Sequence, residues 1–271
     1  MNPISLQAAI LPPSAGWAWI VQGYAIFRRQ PLALIFWSVA TSFVINLGSA
    51  IPVLGQIVLV ALTPLLTFLT LCACRHLSLG ERMLPGMWLR PLQTAGVTPA
   101  LLRLGLAYLG CTMLAAFAAV LPFLSQLVAA IGTQPQPDYK ALAAAMTGPL
   151  VVFGLFYVVL SALFWHAPAL MGWHRLPLRR ALFYSMVACW RNKWAIILYA
   201  GTWAALFFGL HGLLDGLMDA GVSTTLLAWV SLLLDILVTA LLYCSFYPIY
   251  ASIFQSRQAA ETRASQPEDP Q

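Results

Sequence analysis

The sequence is short of charge. Asp, Glu, Lys and Arg make up 8% of its 271 residues, against about 25% in a soluble domain. So few ionic groups cannot coat a water-facing surface, which excludes a soluble globular chain. At 61% hydrophobic the chain is not a disordered one either, since disorder requires low hydrophobicity and high charge. Glutamate occurs only at Glu81, Glu261 and Glu268, all outside the apolar runs, so a membrane metalloprotease lacks its base. There is no H-E-x-x-H, no G-x-S-x-G, no Walker loop and no dinucleotide fingerprint. No catalytic residue, cofactor or metal is expected, and the chain does not read as an enzyme. The five cysteines (Cys72, Cys74, Cys111, Cys189 and Cys244) all avoid the expected outer loops. No disulfide framework is implied.

What is present is apolar chain in long runs. A helix crossing a hydrocarbon core of about 30 Å needs about 20 apolar residues. The 45 residues between Arg29 and Arg75 carry no acid, Lys or Arg, enough for two crossings. Pro52 and Gly55 mark the turn between them. Spans are predicted over 32–50, 54–74, 101–124, 147–170, 194–214 and 227–254. Pro64 is expected to kink the second, and Pro122 blurs the end of the third. The fold class is all-α: a polytopic transmembrane helix bundle of six spans in three hairpins. Residues 1–31 read as an N-terminal segment, 32–254 as the membrane domain and 255–271 as a polar, disordered tail. No Lys or Arg precedes Arg28, unlike a secretory signal, so the first span is expected to direct insertion.

Lys and Arg collect in cytoplasmic loops of membrane proteins. With both termini inside, thirteen of the fourteen Lys and Arg fall on the inner side, and only Lys140 falls outside. The net charge of +6 is then a one-sided basic face that suits a bilayer with anionic headgroups. Arg28, Arg29, Arg179, Arg180 and Arg191 are the candidate lipid contacts. No nucleic acid partner is expected, because these cations serve topology. Trp17, Trp19, Trp173, Trp190, Trp194, Tyr247 and Tyr250 fall near the same boundary, where aromatic rings with a polar edge settle.

Two segments, 14–29 and 177–192, read as interfacial helices. In the second, Leu178, Leu182, Met186 and Cys189 or Trp190 form one stripe, with Arg180, Tyr184 and Arg191 on another side. That pattern suits a helix lying in the headgroup plane. The junctions Phe27-Arg28-Arg29-Gln30 and Trp190-Arg191-Asn192-Lys193 read alike, at an offset of 163 residues. A repeat of lead-in helix plus hairpin gives this likeness, and so does any basic junction before a span.

Several of these stretches together resemble a known family. They are Gly23 with Phe27-Arg28-Arg29-Gln30-Pro31, the turn Ile51-Pro52-Val53-Leu54-Gly55, and Ala167-Pro168-Ala169-Leu170 leading to Cys189-Trp190-Arg191-Asn192. The chain resembles an uncharacterised six-span family of bacterial inner-membrane proteins. That family is in turn similar to the membrane region fused to some glycerophosphodiester phosphodiesterases. The resemblance covers most of 14–254. It implies a bacterial inner (cytoplasmic) membrane location and carries no assigned site. In the fused proteins the chemistry belongs to a separate soluble domain, which this chain does not show.

The polar constellations are few. Asp235 is the only acid within a span, where a carboxylate costs about 2.5–3.5 kcal/mol on insertion scales. It reads either as an ion or proton site or as a protonated group bonded to a neighbouring helix. His211, Asp215 and Asp219 recur every four residues and share a helix face. They suit a divalent cation, or the wet side of a helix that extends beyond the membrane. Cys72 and His76 share a face, but Cys74 is rotated about 200° away, so a regular helix cannot offer all three to a metal.

The leading expectation is therefore a non-enzymatic accessory or scaffold protein acting through lipid and protein contacts, with a membrane protein as the kind of partner. The alternative is a small-solute or ion transporter or channel using Asp235. A third reading is a lipid-modifying enzyme at the inner rim, with Arg179, Arg180 and Arg191 holding phosphate. A polar cavity reaching Asp235 favours transport. A pocket joining inner arginines to an acid or His favours the enzyme, and a solid apolar bundle favours the scaffold.

Overall fold

The computed structural model describes residues 8–131 and 139–255. Helix α1 (Ala15–Phe27) leads into a hairpin of α2 (Pro31–Ser49) and α3 (Leu54–Ser78). A linker with two short 3-10 turns reaches α4 (Val97–Val120), then a turn at Leu121–Phe123 and α5 (Leu124–Ile131). The chain returns through α6 (Tyr139–Phe164) and α7 (Ala167–His174). Helix α8 (Leu178–Arg191) leads into the last hairpin, α9 (Lys193–Asp219) and α10 (Thr224–Tyr250). No strand occurs among the described residues. The expected tail, 255–271, lies outside them apart from Gln255, which ends the helical turn Ala251–Gln255.

Six stretches are long and apolar enough to cross a membrane: Pro31–Ser49, Leu54–Ser78, Val97–Ile131, Lys140–His174, Lys193–Asp219 and Thr224–Phe254. Each overlaps one predicted span. The third and fourth run longer than predicted because Pro122 and Pro168 break the helix without ending it and because α6 runs on through Pro149. Pro122 and Pro168 each sit in the first turn of a new helical piece, where the missing N–H costs nothing. The break before α7 is held by Ser185 of α8. Its hydroxyl donates to the Ala162 carbonyl and accepts the His166 N–H at 3.0 Å.

Tight approach between helices depends on small residues, as it must where lipid supplies no hydrophobic drive. A Cβ on Gly105 of α4 would lie 1.9 Å from the Ala61 carbonyl oxygen of α3. A Cβ on Gly16 of α1 would lie 2.3 Å from the Ala195 carbonyl oxygen of α9. The outward faces are apolar: Phe43, Leu114, Leu155, Phe208 and Leu233 are all exposed. Such a continuous greasy exterior is stable only against lipid.

Both lead-in helices are present, and their first residues Ala15 and Leu178 stand at the same 163-residue offset as the two junctions. Each packs on a hairpin other than the one it introduces: α8 on α6 and α7, α1 on α10 and α9. The linker before α4 does likewise, stacking Trp88 on Trp37 of α2 at 4.4 Å between ring centroids. Its Met83 exchanges two hydrogen bonds with the Gln30 side chain, at 2.8 and 2.9 Å. Three hairpins, each preceded by a segment laid across another hairpin, is more order than the short sequence likeness specified. Helix α1 is more buried than a headgroup helix. Trp19 is 1% exposed and its indole N–H donates to Ser252 Oγ at 2.8 Å. The five cysteines are free. Burial pushes the Cys189 thiol up to about 12, so it stays protonated at neutral pH.

Candidate functional site

By the alternation of the spans, the starts of α2, α4 and α9 and the ends of α3, α7 and α10 fall at one end of the bundle, and Arg29, Arg75 and Arg175 make their contacts there. Arg29 Nη1 donates to the Leu77 and Ser78 carbonyls at 2.7 Å. It caps the negative end of α3, so its guanidinium is engaged with protein. Arg28 lies over the Tyr24 ring at 5.7 Å, and Lys193 lies over Trp190 at 4.8 Å. Arg179, Arg180 and Arg191 are exposed on α8. Among the described residues no arginine is paired with a carboxylate; the ion pairs are His76–Glu81 and His211–Asp235.

Asp235 meets His211 across α9 and α10. His211 Nε2 is 3.5 Å from Asp235 Oδ1, and Ser231 Oγ donates to Asp235 Oδ2 at 3.4 Å. His211 Nδ1 lies 3.0 Å from the Phe207 carbonyl. The two side chains therefore face each other across α9 and α10. The sequence placed His211 with Asp215 and Asp219, but the structure places it with Asp235. Asp215 and Asp219 are exposed further along α9. Among the described residues, no group of three or more His, Cys, Asp or Glu could hold a metal.

Two cavities flank α3. The first, about 450 Å³, lies between α3, α6 and α10. Its apolar wall carries the hydroxyls of Thr41, Thr67, Tyr157 and Ser161, and His166 stands at its base. His166 is 2% exposed and its Nε2 has no hydrogen-bond partner. Pro64, expected to act through a kink, lines this cavity. Asp235 is not among its lining residues.

The second cavity, about 460 Å³, opens at the arginine-rich end. Phe68 and Cys72 of α3, Val97 of α4 and Trp173 of α7 form its apolar wall, Arg90 and Arg175 bring positive charge, and His76 adds an imidazole. The His76 Nδ1 contacts Glu81 Oε2. Arg75 stacks on Trp173, its guanidinium carbon 5.2 Å from the ring centroid. Arg175 ends α7 in the left-handed conformation, φ 53°, ψ 32°. Glycine is usual at such a helix end, and a non-glycine residue costs about 1–2 kcal/mol there. The sequence reading missed Arg90 and Arg175 as a pair. The available signal was an arginine where the Gly or Asn of a helix stop belongs, right after Trp173-His174.

A probable inner membrane protein of Burkholderia thailandensis is 32% identical over 256 residues, covering 92% of this chain and 94% of the relative. This chain belongs to that family of inner-membrane proteins. No family model matches it, and no solved structure does. The family assignment agrees with the apolar exterior and six spans described above.

Proposed function

We propose that this family member is a non-enzymatic accessory or scaffold protein of the inner membrane, with both termini cytoplasmic and its basic end against anionic headgroups. The observation that supports it best is the charge distribution. Thirteen of fourteen cations fall at one end by sequence, and the described arginines carry no carboxylate partners, which leaves them for lipid or for a partner's acidic surface. The resemblance to the membrane region fused to some glycerophosphodiester phosphodiesterases fits this role, because there the membrane part carries a separate catalytic domain.

Transport through Asp235 draws little support. Its carboxylate faces His211 at 3.5 Å and does not line the cavity between α3, α6 and α10. Lipid-modifying chemistry is favoured by one observation: His76, backed by Glu81, shares a cavity with Arg90 and Arg175. Arg179, Arg180 and Arg191, the residues singled out for this from sequence, do not line it.

Reconstitution in phosphatidylglycerol-containing vesicles tests the reading. The expected result is no proton or potassium flux above protein-free vesicles, no headgroup release, and an Asp235→Leu variant that behaves identically. Flux that Asp235→Leu abolishes, or headgroup release by the wild type, overturns it.

A further inference from the structure

Arg175 and Arg90 converge on the cavity from different parts of the chain, α7 and the linker before α4. The Arg175 guanidinium lies close to the start of α4: a Cβ built on Gly96 would be 4.0 Å from its Nη1. Gly96 itself has φ 82°, the left-handed turn that delivers Val97 to the cavity wall. Two guanidinium groups, neither with a carboxylate, and the positive end of α4 thus face one space. Among the described residues no acid lines the cavity, and Glu81, which contacts its His76, is engaged there.

Guanidinium forks match phosphate oxygens two at a time. The space of about 460 Å³ lies in the range of about 300–1,000 Å³ typical of small-molecule sites and exceeds what a bare oxyanion fills. The remaining wall is apolar, with Phe68, Val97 and Cys72 each under a tenth exposed and Trp173 beside them. An anion with an attached organic part fits both halves. The backbone at Arg175 points the same way. The strain of a conformation that favours glycine needs an offsetting interaction, and a guanidinium facing the cavity supplies one that glycine would not.

We propose that the cavity between α3, α4 and α7 is a binding site for an organic phosphate ester, its phosphate held by Arg90 and Arg175 and its organic part laid on Phe68 and Trp173. The ester comes from a glycerophospholipid headgroup or from a soluble phosphate ester. The proposal deepens the reading of the basic end as a headgroup-facing surface, but it stands or falls by these two arginines alone.

The test uses the full chain in maltoside micelles, titrated calorimetrically with dioctanoyl phosphatidylglycerol, with glycerol 3-phosphate and with inorganic phosphate. One ester is expected to bind saturably at one per chain, and which one identifies the source. Inorganic phosphate is expected to bind at least tenfold more weakly. Arg90→Gln should weaken ester binding about tenfold. Arg175→Gly is the sharper variant, because it removes the guanidinium while relieving the backbone. It should weaken binding at least tenfold with an unchanged or raised melting temperature. Arg103→Gln, exposed and outside the cavity lining, should bind as wild type. Absence of saturable binding by either ester, equal affinity for inorganic phosphate, or wild-type binding by Arg175→Gly would overturn the site. None of these results alters flux or topology, so the accessory reading is tested separately.

Discussion

Gly105→Ala destabilises the bundle by about 2–3 kcal/mol, the upper part of the range of about 1–3 kcal/mol for overpacking a filled interior. The added carbon would sit 1.9 Å from the Ala61 carbonyl oxygen and 3.0 Å from its carbon. Both are backbone atoms in the middle of α3, so no side chain can turn away to make room. Leu101 and Leu104, the neighbours on the same face of α4, are fully buried, and a rigid separation of α3 from α4 would strip their contacts as well. Gly110→Ala, one and a half turns further along α4, is the control. A Cβ there meets nothing within 4 Å, so alanine gains about 0.5–1 kcal/mol from helix propensity alone. Unfolding of the two variants in the same micelles reads both effects. Equal stabilities would mean that α3 and α4 do not approach this closely.

Asn192→Ala releases the start of the described chain. Asn192 is 1% exposed and sits between α8 and α9. Its Oδ1 accepts the Leu11 N–H at 2.9 Å, and its Nδ2 donates to the carbonyls of Ala9 at 2.8 Å and Ala188 at 3.0 Å. Alanine removes three hydrogen bonds and leaves backbone groups of residues 9 and 11 without those partners. At about 1 kcal/mol per bond plus the cost of unsatisfied groups, the loss is about 3 kcal/mol. Protease cleavage before α1 should rise at least tenfold in the variant, while the six spans stay protected. Asn192→Asp keeps the acceptor and loses the donor, so it should fall between alanine and wild type.

The span count and the grouping of cations were legible because both follow from one-dimensional quantities, the length of apolar runs and the position of charge. The helix breaks at Pro122 and Pro168 were visible as residues but not as geometry. Sequence alone does not say whether a proline ends a helix or only interrupts it, since the outcome turns on partners such as Ser185. The polar pairings were largely hidden. His211 was read with Asp215 and Asp219 because periodicity along one helix is all a single chain displays. Its actual partner, Asp235, belongs to the next helix and is fixed by how α9 packs on α10. Arg90 and Arg175 are 85 positions apart in sequence and meet only through the packing of α3, α4 and α7. Their joint cavity is a tertiary property.

Fusing paired reporters to Gln271 and to the connection between α9 and α10 tests the cationic-end orientation most directly. The account predicts a cytoplasmic readout at Gln271 and a periplasmic readout near Gly221. The reverse pattern, or the same compartment for both sites, would contradict it.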